Sequence, residues 1–343
     1  MPPRRIGLSR EHVNSFKVAI AGLGRIGGVH LDAWRRVPGV EVVAVCDDDS
    51  DAQKRAASAS LPCYATLPEM LRGGSIDAVS LCTPPAMHLP MAARAMEQGV
   101  HVLCEKPLAV NPAAAERLTR ISRTTGAKLQ MATKFRHVPE INQARQMIRE
   151  GGIGEVVSAA IEFAGAVDMT QRWNSSLRIA GGGVIMDNGS HALDLLQFLF
   201  GPIERVHAAR LHPLQKLEVE DQAIVLAETA SGVVGEVTLT WSMQPASDTY
   251  LTVRGSKGSI AIGWKSSFVR KNGEPPVQIA NGYDKNVAHE RMMSAFRDMA
   301  QGRGMGWITL QECVAVQQAV ECAYRSMRSG AWSSLDDRQA LAA

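Results

Sequence analysis

The chain has 343 residues, enough for two domains at roughly 100–200 residues each. Its 37 Lys and Arg against 34 Asp and Glu leave a net charge of +3, and no Lys/Arg run forms a local basic patch, which excludes a polybasic nucleic-acid binder. The hydrophobic fraction of 45% is that of an ordinary globular chain, and no stretch reaches the ~18 uninterrupted apolar residues of a membrane helix. Six cysteines, at 46, 63, 82, 104, 313 and 322, form no CxxC pair and flank no histidine at zinc-site spacing. Cys46, Cys82 and Cys104 each end an apolar run, so they read as small buried hydrophobes in a reduced, cytoplasmic setting. Residues 1–16 carry Arg4, Arg5 and Arg10 without an apolar h-region, which reads as a loose tail rather than a secretory signal.

Residues 17–21 (KVAIA) form an apolar run read as a buried strand. A helical pattern follows at 25–36, then a strand at 40–46 and a helix at 51–59. Pro68 opens a short helix at 68–72. Strands at 77–82, 100–104 and 128–132 alternate with helices at 89–97 and 112–124, closed by Gly99 and Gly126. Apolar strands separated by helices predict a parallel sheet covered on both faces, an α/β domain over 1–135. Beyond residue 135 the pattern changes. A helix at 141–150 stops at Gly151-Gly152, and strands follow at 155–163, 203–211, 221–228, 233–241, 250–254 and 258–262. Alternation such as Val237-Leu239-Trp241 against Thr238-Thr240 suits an antiparallel sheet with one open face. Helices are expected at 189–200, 289–300 and 310–328. Residues 136–343 thus read as an α+β domain on a large, mostly antiparallel, open-faced sheet. Its open face is expected to carry Trp241 and its neighbours and to serve as an oligomer surface.

Gly22-Leu23-Gly24-Arg25-Ile26-Gly27 is a G-x-G-x-x-G between a strand and a helix, and Asp47 lies 20 residues beyond Gly27 at the end of the second strand. Gly22 permits the tight turn, Gly24 lets the backbone approach a pyrophosphate, and Gly27 lets helix and strand pack. The helix N-terminus offers N–H groups to the phosphates, and Arg25 adds a charge. Asp47 accepts hydrogen bonds from a ribose 2′-OH and repels a 2′-phosphate, which favours NAD, with NADP possible. The N-terminal domain is therefore read as a Rossmann dinucleotide-binding domain.

Two further strand ends carry unusual strings, Cys82-Thr83-Pro84-Pro85-Ala86-Met87-His88 and Glu105-Lys106-Pro107. Ligands bind beyond the carboxyl ends of parallel strands, so both strings fall at the ligand edge and Cys82, Thr83, Pro84, Glu105 and Lys106 read as cofactor-edge residues, while His88 by itself reads equally as a turn or core histidine. A lysine beside an acid at a strand end has a readily shifted pKa. Further on, Gly181-Gly182-Gly183 leads to Asp187, His191 and Asp194. In an unbroken helix the Asp187–His191 and His191–Asp194 pairs share a face, and a carboxylate there orients an imidazole for proton transfer. The same spacing can hold a metal, but no further ligand set accompanies it and no metal is expected. The triple glycine is expected to pass close to a ligand ring.

These strings resemble the family of glucose-fructose oxidoreductase, inositol dehydrogenase and rhizopine-catabolism proteins (Gfo/Idh/MocA). The resemblance rests on GLGRIG at 22–27, CTPPAMH at 82–88, EKP at 105–107, GGGVIMDNGSHALD at 181–194 and AYRSMRSG at 323–330. It implies a catalytic group of Lys106, Asp187 and His191, a cofactor-edge contact at His88, and a cis bond before Pro107. It places Arg136, in Lys134-Phe135-Arg136-His137-Val138-Pro139, against cofactor or substrate, and makes Lys134, Trp173 and Arg178 substrate-side candidates. Pro85 departs from the asparagine the family often has there, which removes a side-chain hydrogen bond near the cofactor. The implied activity is an NAD(P)-dependent dehydrogenase acting on a secondary alcohol of a sugar, inositol or related polyol. His191 would take or return the proton, Asp187 would orient it, and Lys106 would stabilise the alkoxide; the formal base stays open between Lys106 and His191. Other readings of the same fold are a keto-sugar reductase in a biosynthetic pathway, a cofactor-recycling aldose exchange, transient oxidation with elimination at a glycoside, and a non-catalytic nucleotide-sensing protein. A homo-oligomer, dimer or tetramer, through the C-terminal sheet is also implied, with no nucleic-acid or membrane partner.

Overall fold

The computed structural model describes residues 15–337. The tail expected at 1–16 lies outside the described residues up to 14, and Phe16 already belongs to the first strand. Strands β1 (Phe16–Ala21), β2 (Val40–Cys46), β3 (Cys63–Tyr64), β4 (Ala78–Leu81), β5 (His101–Cys104) and β6 (Leu129–Met131) form one sheet in the order β3-β2-β1-β4-β5-β6. Every pairing in it is parallel. The order reverses between β1 and β4, the switch point at which such sheets bind ligands. Helices α1 (Arg25–Arg36), α2 (Ser50–Ser58), α3 (Leu67–Arg72), α4 (Pro85–Met96) and α5 (Pro112–Thr125) make the crossovers. Apolar residues on both sides of β1 and β4 are buried, which is why these strands read as unbroken apolar runs. Helix α4 starts four residues before the expected 89. Pro84 is extended at its N-cap and Pro85 sits at the first helical position, where a missing N–H costs nothing.

The second sheet has nine strands: β7 (Val156–Ala164), β8 (Ile203–Arg210), β9 (Gln222–Thr229), β10 (Val234–Thr240), β11 (Thr249–Gly255), β12 (Gly258–Gly263), β13 (Ser267–Lys271), β14 (Val277–Ala280) and β15 (Ser333–Ser334). Their order is β14-β13-β12-β11-β7-β10-β9-β8-β15. Only β7 and β10 pair in parallel; the rest is antiparallel. One face packs Ile161, Phe163, Val225, Val237, Leu239 and Val253 onto α6 (Pro139–Arg149) and α8 (Ser190–Phe200). Trp241 belongs to this core at 4% exposure, which corrects its expected place on the open face. It continues the alternation of Val237 and Leu239, so it takes their side of the sheet.

Two long helices close the described chain, α9 (Lys285–Ala300) and α10 (Leu310–Ser329). Both cross back to the first sheet. Met292, Met293 and Phe296 of α9 share a core with Val18, Ile20 and Trp34. Cys313 and Val316 of α10 join Leu118 and Leu129 on the opposite face, while its Val320 and Ala323 reach the second sheet's core. A capping box of Thr309 and Glu312 starts α10. No described helix is long and apolar enough to cross a membrane.

Candidate active site

The glycine loop lies at the carboxyl end of β1. Gly22 has φ +87°, and a Cβ there would stand 2.7 Å from the Cys82 carbonyl oxygen. A Cβ on Gly27 would stand 1.9 Å from the carbonyl oxygen of Gly22. Gly24 differs, because nothing lies within 4 Å of the place its Cβ would take. Its backbone is open to an approaching group. Helix α1 starts from Gly24 with no side-chain cap, so its first N–H groups are available to an anion. Arg25 is exposed beside them and Ile26 is half-buried. The Asp47 carboxylate accepts from the Leu23 N–H at 2.6 Å and the Asp49 N–H at 2.9 Å, which fixes it at the tip of β2. Arg55 binds the Leu23 carbonyl at 2.8 Å from the other side. A bare backbone, an uncapped helix end and an anchored carboxylate fit a dinucleotide with its ribose hydroxyls at Asp47.

The neighbouring edge is built by the turns after β4 and β5. Thr83 and Pro84 are half-buried there, and burial pushes the Cys82 thiol well above its usual range. His88 is fully buried, with Nδ1 2.9 Å from the Pro107 carbonyl oxygen and Nε2 2.8 Å from that of Thr83. The contact expected between His88 and a cofactor does not fit this geometry. Both ring nitrogens are taken, and the imidazole ties one turn to the other. The Lys106-Pro107 bond is cis. Glu105 also turns inward: one oxygen meets His30 Nε2 at 2.9 Å and the other accepts the Lys106 N–H at 3.1 Å. His30 Nδ1 meets the Ser80 hydroxyl at 2.7 Å. Burial alone would raise the Glu105 pKa, but the His30 hydrogen bond and the charges of Lys106 and His289 hold it at about 2. Sequence reasoning missed this Ser80–His30–Glu105 chain. Its one signal was a histidine three residues after the glycine motif.

Lys106 Nζ pairs with the Asp187 carboxylate and lies 3.2 Å from its carbonyl oxygen. The two residues are 81 positions apart in the chain. Asp187 sits in a π-helical turn, Ile185–Gly189, that precedes α8. Such a turn holds more residues than an α turn, so side chains four apart no longer align. The Asp187–His191 contact expected from an unbroken helix is replaced by the Lys106–Asp187 pair, and Asp194 points away into the interior. Glu220 anchors the π turn by accepting N–H bonds from Gly183 at 3.1 Å and Ile185 at 3.0 Å and the Tyr324 hydroxyl at 2.8 Å. A Cβ on Gly182 would stand 2.0 Å from the Tyr324 hydroxyl oxygen, and one on Gly183 2.0 Å from the Glu220 carbonyl oxygen. The glycine run thus serves internal packing rather than the ligand ring expected beside it. His191 is half-buried and edge-on to Phe135, with ring centroids 5.2 Å apart. Burial, reinforced by the charges of Lys106, Lys134 and His289, pushes its pKa well below that of free imidazole. It is therefore a neutral ring near neutral pH.

A 3-10 turn, Lys134–His137, follows β6 and sends its two cations opposite ways. Arg136 is buried. Its Nε and Nη2 grip the Asp194 carboxylate at 2.7–3.1 Å, and Nη1 donates to the Trp307 carbonyl and to Glu312 at 2.8 Å each. The cofactor or substrate contact expected at Arg136 is corrected on this ground, since its donors are consumed inside the protein. Lys134 has no hydrogen-bond or ion-pair partner among the described residues. Its Nζ lies 5.1 Å from the Phe135 ring centroid and 5.9 Å from that of Tyr283. Burial, then the charge of Lys106, lowers its pKa to about 8. Around it Phe135 stacks on Phe163 at 5.0 Å, Tyr250 lies tilted against Trp264 at 4.4 Å, and Trp264 meets Tyr283 edge-on at 5.5 Å. No local pattern announced this aromatic wall, because its members come from separate segments. Trp173 and Arg178 are exposed, on a 3-10 turn (Trp173–Ser175) and on α7 (Leu177–Ala180), which packs against α4.

Comparison with known proteins identifies the family and the fold. Residues 16–133 match an oxidoreductase family described by its NAD-binding Rossmann fold, and residues 141–261 match the GFO/IDH/MocA C-terminal domain. The chain is 30% identical to the D-apiose dehydrogenase of Paraburkholderia graminis, over 75% of this chain and 70% of that one. It is 26% identical to the D-glucoside 3-dehydrogenase of Escherichia coli, over 92% and 96%. Among solved structures it resembles GenD2 from gentamicin A biosynthesis in complex with NAD, at 26% identity, TM-score 0.82 and coverage of 97% and 99%. A putative NADPH-dependent oxidoreductase from Desulfitobacterium hafniense, 20% identical, shares the fold with TM-score 0.86 over 94% and 98%. The chain belongs to the Gfo/Idh/MocA family of NAD(P)-binding oxidoreductases.

Proposed function

We propose that the chain interconverts a secondary alcohol and a ketone on a sugar, inositol or related polyol, with NAD as the preferred cofactor. The observation that carries this reading is the pairing of Lys106 with Asp187, 81 positions apart in the chain, just beyond the carboxyl end of β5, with His191 near enough for the Lys106 charge to lower its pKa. A bound nicotinamide supplies the hydride acceptor or donor. The protein supplies the rest. Lys106, directed by its pairing with Asp187, donates a hydrogen bond to the reacting oxygen and stabilises the alkoxide. An ammonium held against a carboxylate is a poor proton acceptor, so the base role falls to the neutral ring of His191. Asp47 favours NAD through the ribose hydroxyls. The named activities of the D-apiose and D-glucoside relatives support the sugar class.

The test is NADH formation by the purified chain on a panel of neutral sugars, inositols and sugar acids. Turnover of at least one member is expected. Binding of NAD with no turnover of any member would favour the nucleotide-sensing reading.

A further inference from the structure

We infer that the substrate carries a carboxylate and that Lys134 receives it, so that the chain acts on a sugar acid of the aldonate or uronate class. This inference rests on the oxidoreductase reading and narrows its substrate.

The distribution of charge around the site carries it. Lys106 is neutralised by Asp187, and Arg136 by Asp194 and Glu312. Glu105 spends both oxygens on His30 and on the Lys106 backbone. The charged groups facing Lys134 are Lys106, Glu105, Lys285 and Asp187, and both acids among them are already engaged. Among the described residues neither Lys134 nor the exposed Lys285 has an ion-pair partner, and of the two it is Lys134 that lies against the aromatic rings beside Lys106. An ammonium drawn out of water without a counter-ion costs stability. Below a pH of about 8 the folded chain must hold this charge where the unfolded chain holds it more cheaply. A ligand carboxylate would remove that cost.

The surroundings fit a sugar acid as well. Tyr283, half-buried beside the ammonium, meets the half-buried Trp264, and the Tyr283 hydroxyl is buried with no hydrogen-bond partner among the described residues. A carbon skeleton dense in hydroxyls can use both. Lys285, exposed at the start of α9, adds positive charge on the same side. A phosphate fits less well. The Asp284 side chain already caps α9 by accepting from Asn286 and Val287, which spends those N–H groups and adds a negative charge.

Matched pairs test the inference: D-gluconate against D-glucitol, and D-galacturonate against D-galactose, with D-glucose 6-phosphate as a third arm. The acid should be preferred by about tenfold or more in kcat/KM, the scale of a hydrogen bond to a charged group. Lys134→Met should abolish that preference through KM rather than kcat, and should raise Tm, which also shows that the variant folds. The wild-type preference should fade above pH about 8 as Lys134 loses its proton, and Lys134→Arg should carry it to higher pH. Equal or better use of the neutral partner, a preference for the phosphate, or an acid preference that survives Lys134→Met would overturn the inference and leave the oxidoreductase reading intact. If no compound turns over, calorimetry still decides: a sugar acid that binds wild type and not Lys134→Met upholds the anion site while the oxidoreductase reading fails.

Discussion

Lys134 and Arg136 stand two residues apart in one short turn and have opposite fates. Arg136 points into the seam between α8 and α10, where two carboxylates and a carbonyl use its donors. Lys134 points to the cluster of Lys106, Asp187 and His191 and meets rings rather than acids. The difference teaches how to tell a structural cation from a functional one. A guanidinium with every side matched holds a scaffold together, whereas an ammonium left unmatched near reactive groups costs stability, and the proposed carboxylate site rests on that contrast.

The sharpest way to break this contrast is to remove the matched cation. Arg136→Met leaves the Asp194 carboxylate buried and alone, and should cost about 3–5 kcal/mol in urea denaturation. Adding Asp194→Leu should recover much of the loss. A cost below about 1 kcal/mol would mean that the pair behaves like a surface contact. On the reactive side, Lys106→Ala should lower kcat by about 10²-fold or more while NAD still binds. It should also let the His191 pKa rise, since the Lys106 charge helps depress it. Wild-type turnover in this variant would remove Lys106 from the chemistry. The smallest effect is expected farthest from the reacting carbon. Asp47→Ala should raise the KM for NAD by about tenfold and relax the rejection of NADP. An unchanged NAD/NADP ratio in steady-state kinetics would count against the ribose contact.

The parts of this molecule that depend on backbone chemistry were legible in the sequence. Gly22, Gly24 and Gly27 are spaced for a turn, an opening and a close packing, and each has that surrounding in the fold. Lys106 and Asp187 could be named, but their pairing could not. Periodicity arguments assume 3.6 residues per turn, and the decisive residues lie in a π turn at Ile185–Gly189 and a 3-10 turn at Lys134–His137. Those turns decide that Asp187 faces Lys106 and that Arg136 faces inward. Helix α4 was cut short because Pro84-Pro85 reads as a break, although proline at a first helical position is a start. Strands β3 and β15 have two residues each, too few for any alternation to show. The aromatic wall had no signal, because proximity between distant segments leaves no mark on spacing.

The return of α9 to the first sheet bears on how the molecule is made. Met292, Met293 and Phe296 fill the floor on which Trp34 rests, and Trp34 meets Phe296 edge-on at 6.2 Å. During synthesis those side chains leave the ribosome only after the whole second sheet except β15 has been translated. The nucleotide-binding half therefore waits, incomplete, for its last layer, and a fragment ending before residue 285 would present an uncovered apolar underside to chaperones rather than a module fit for grafting.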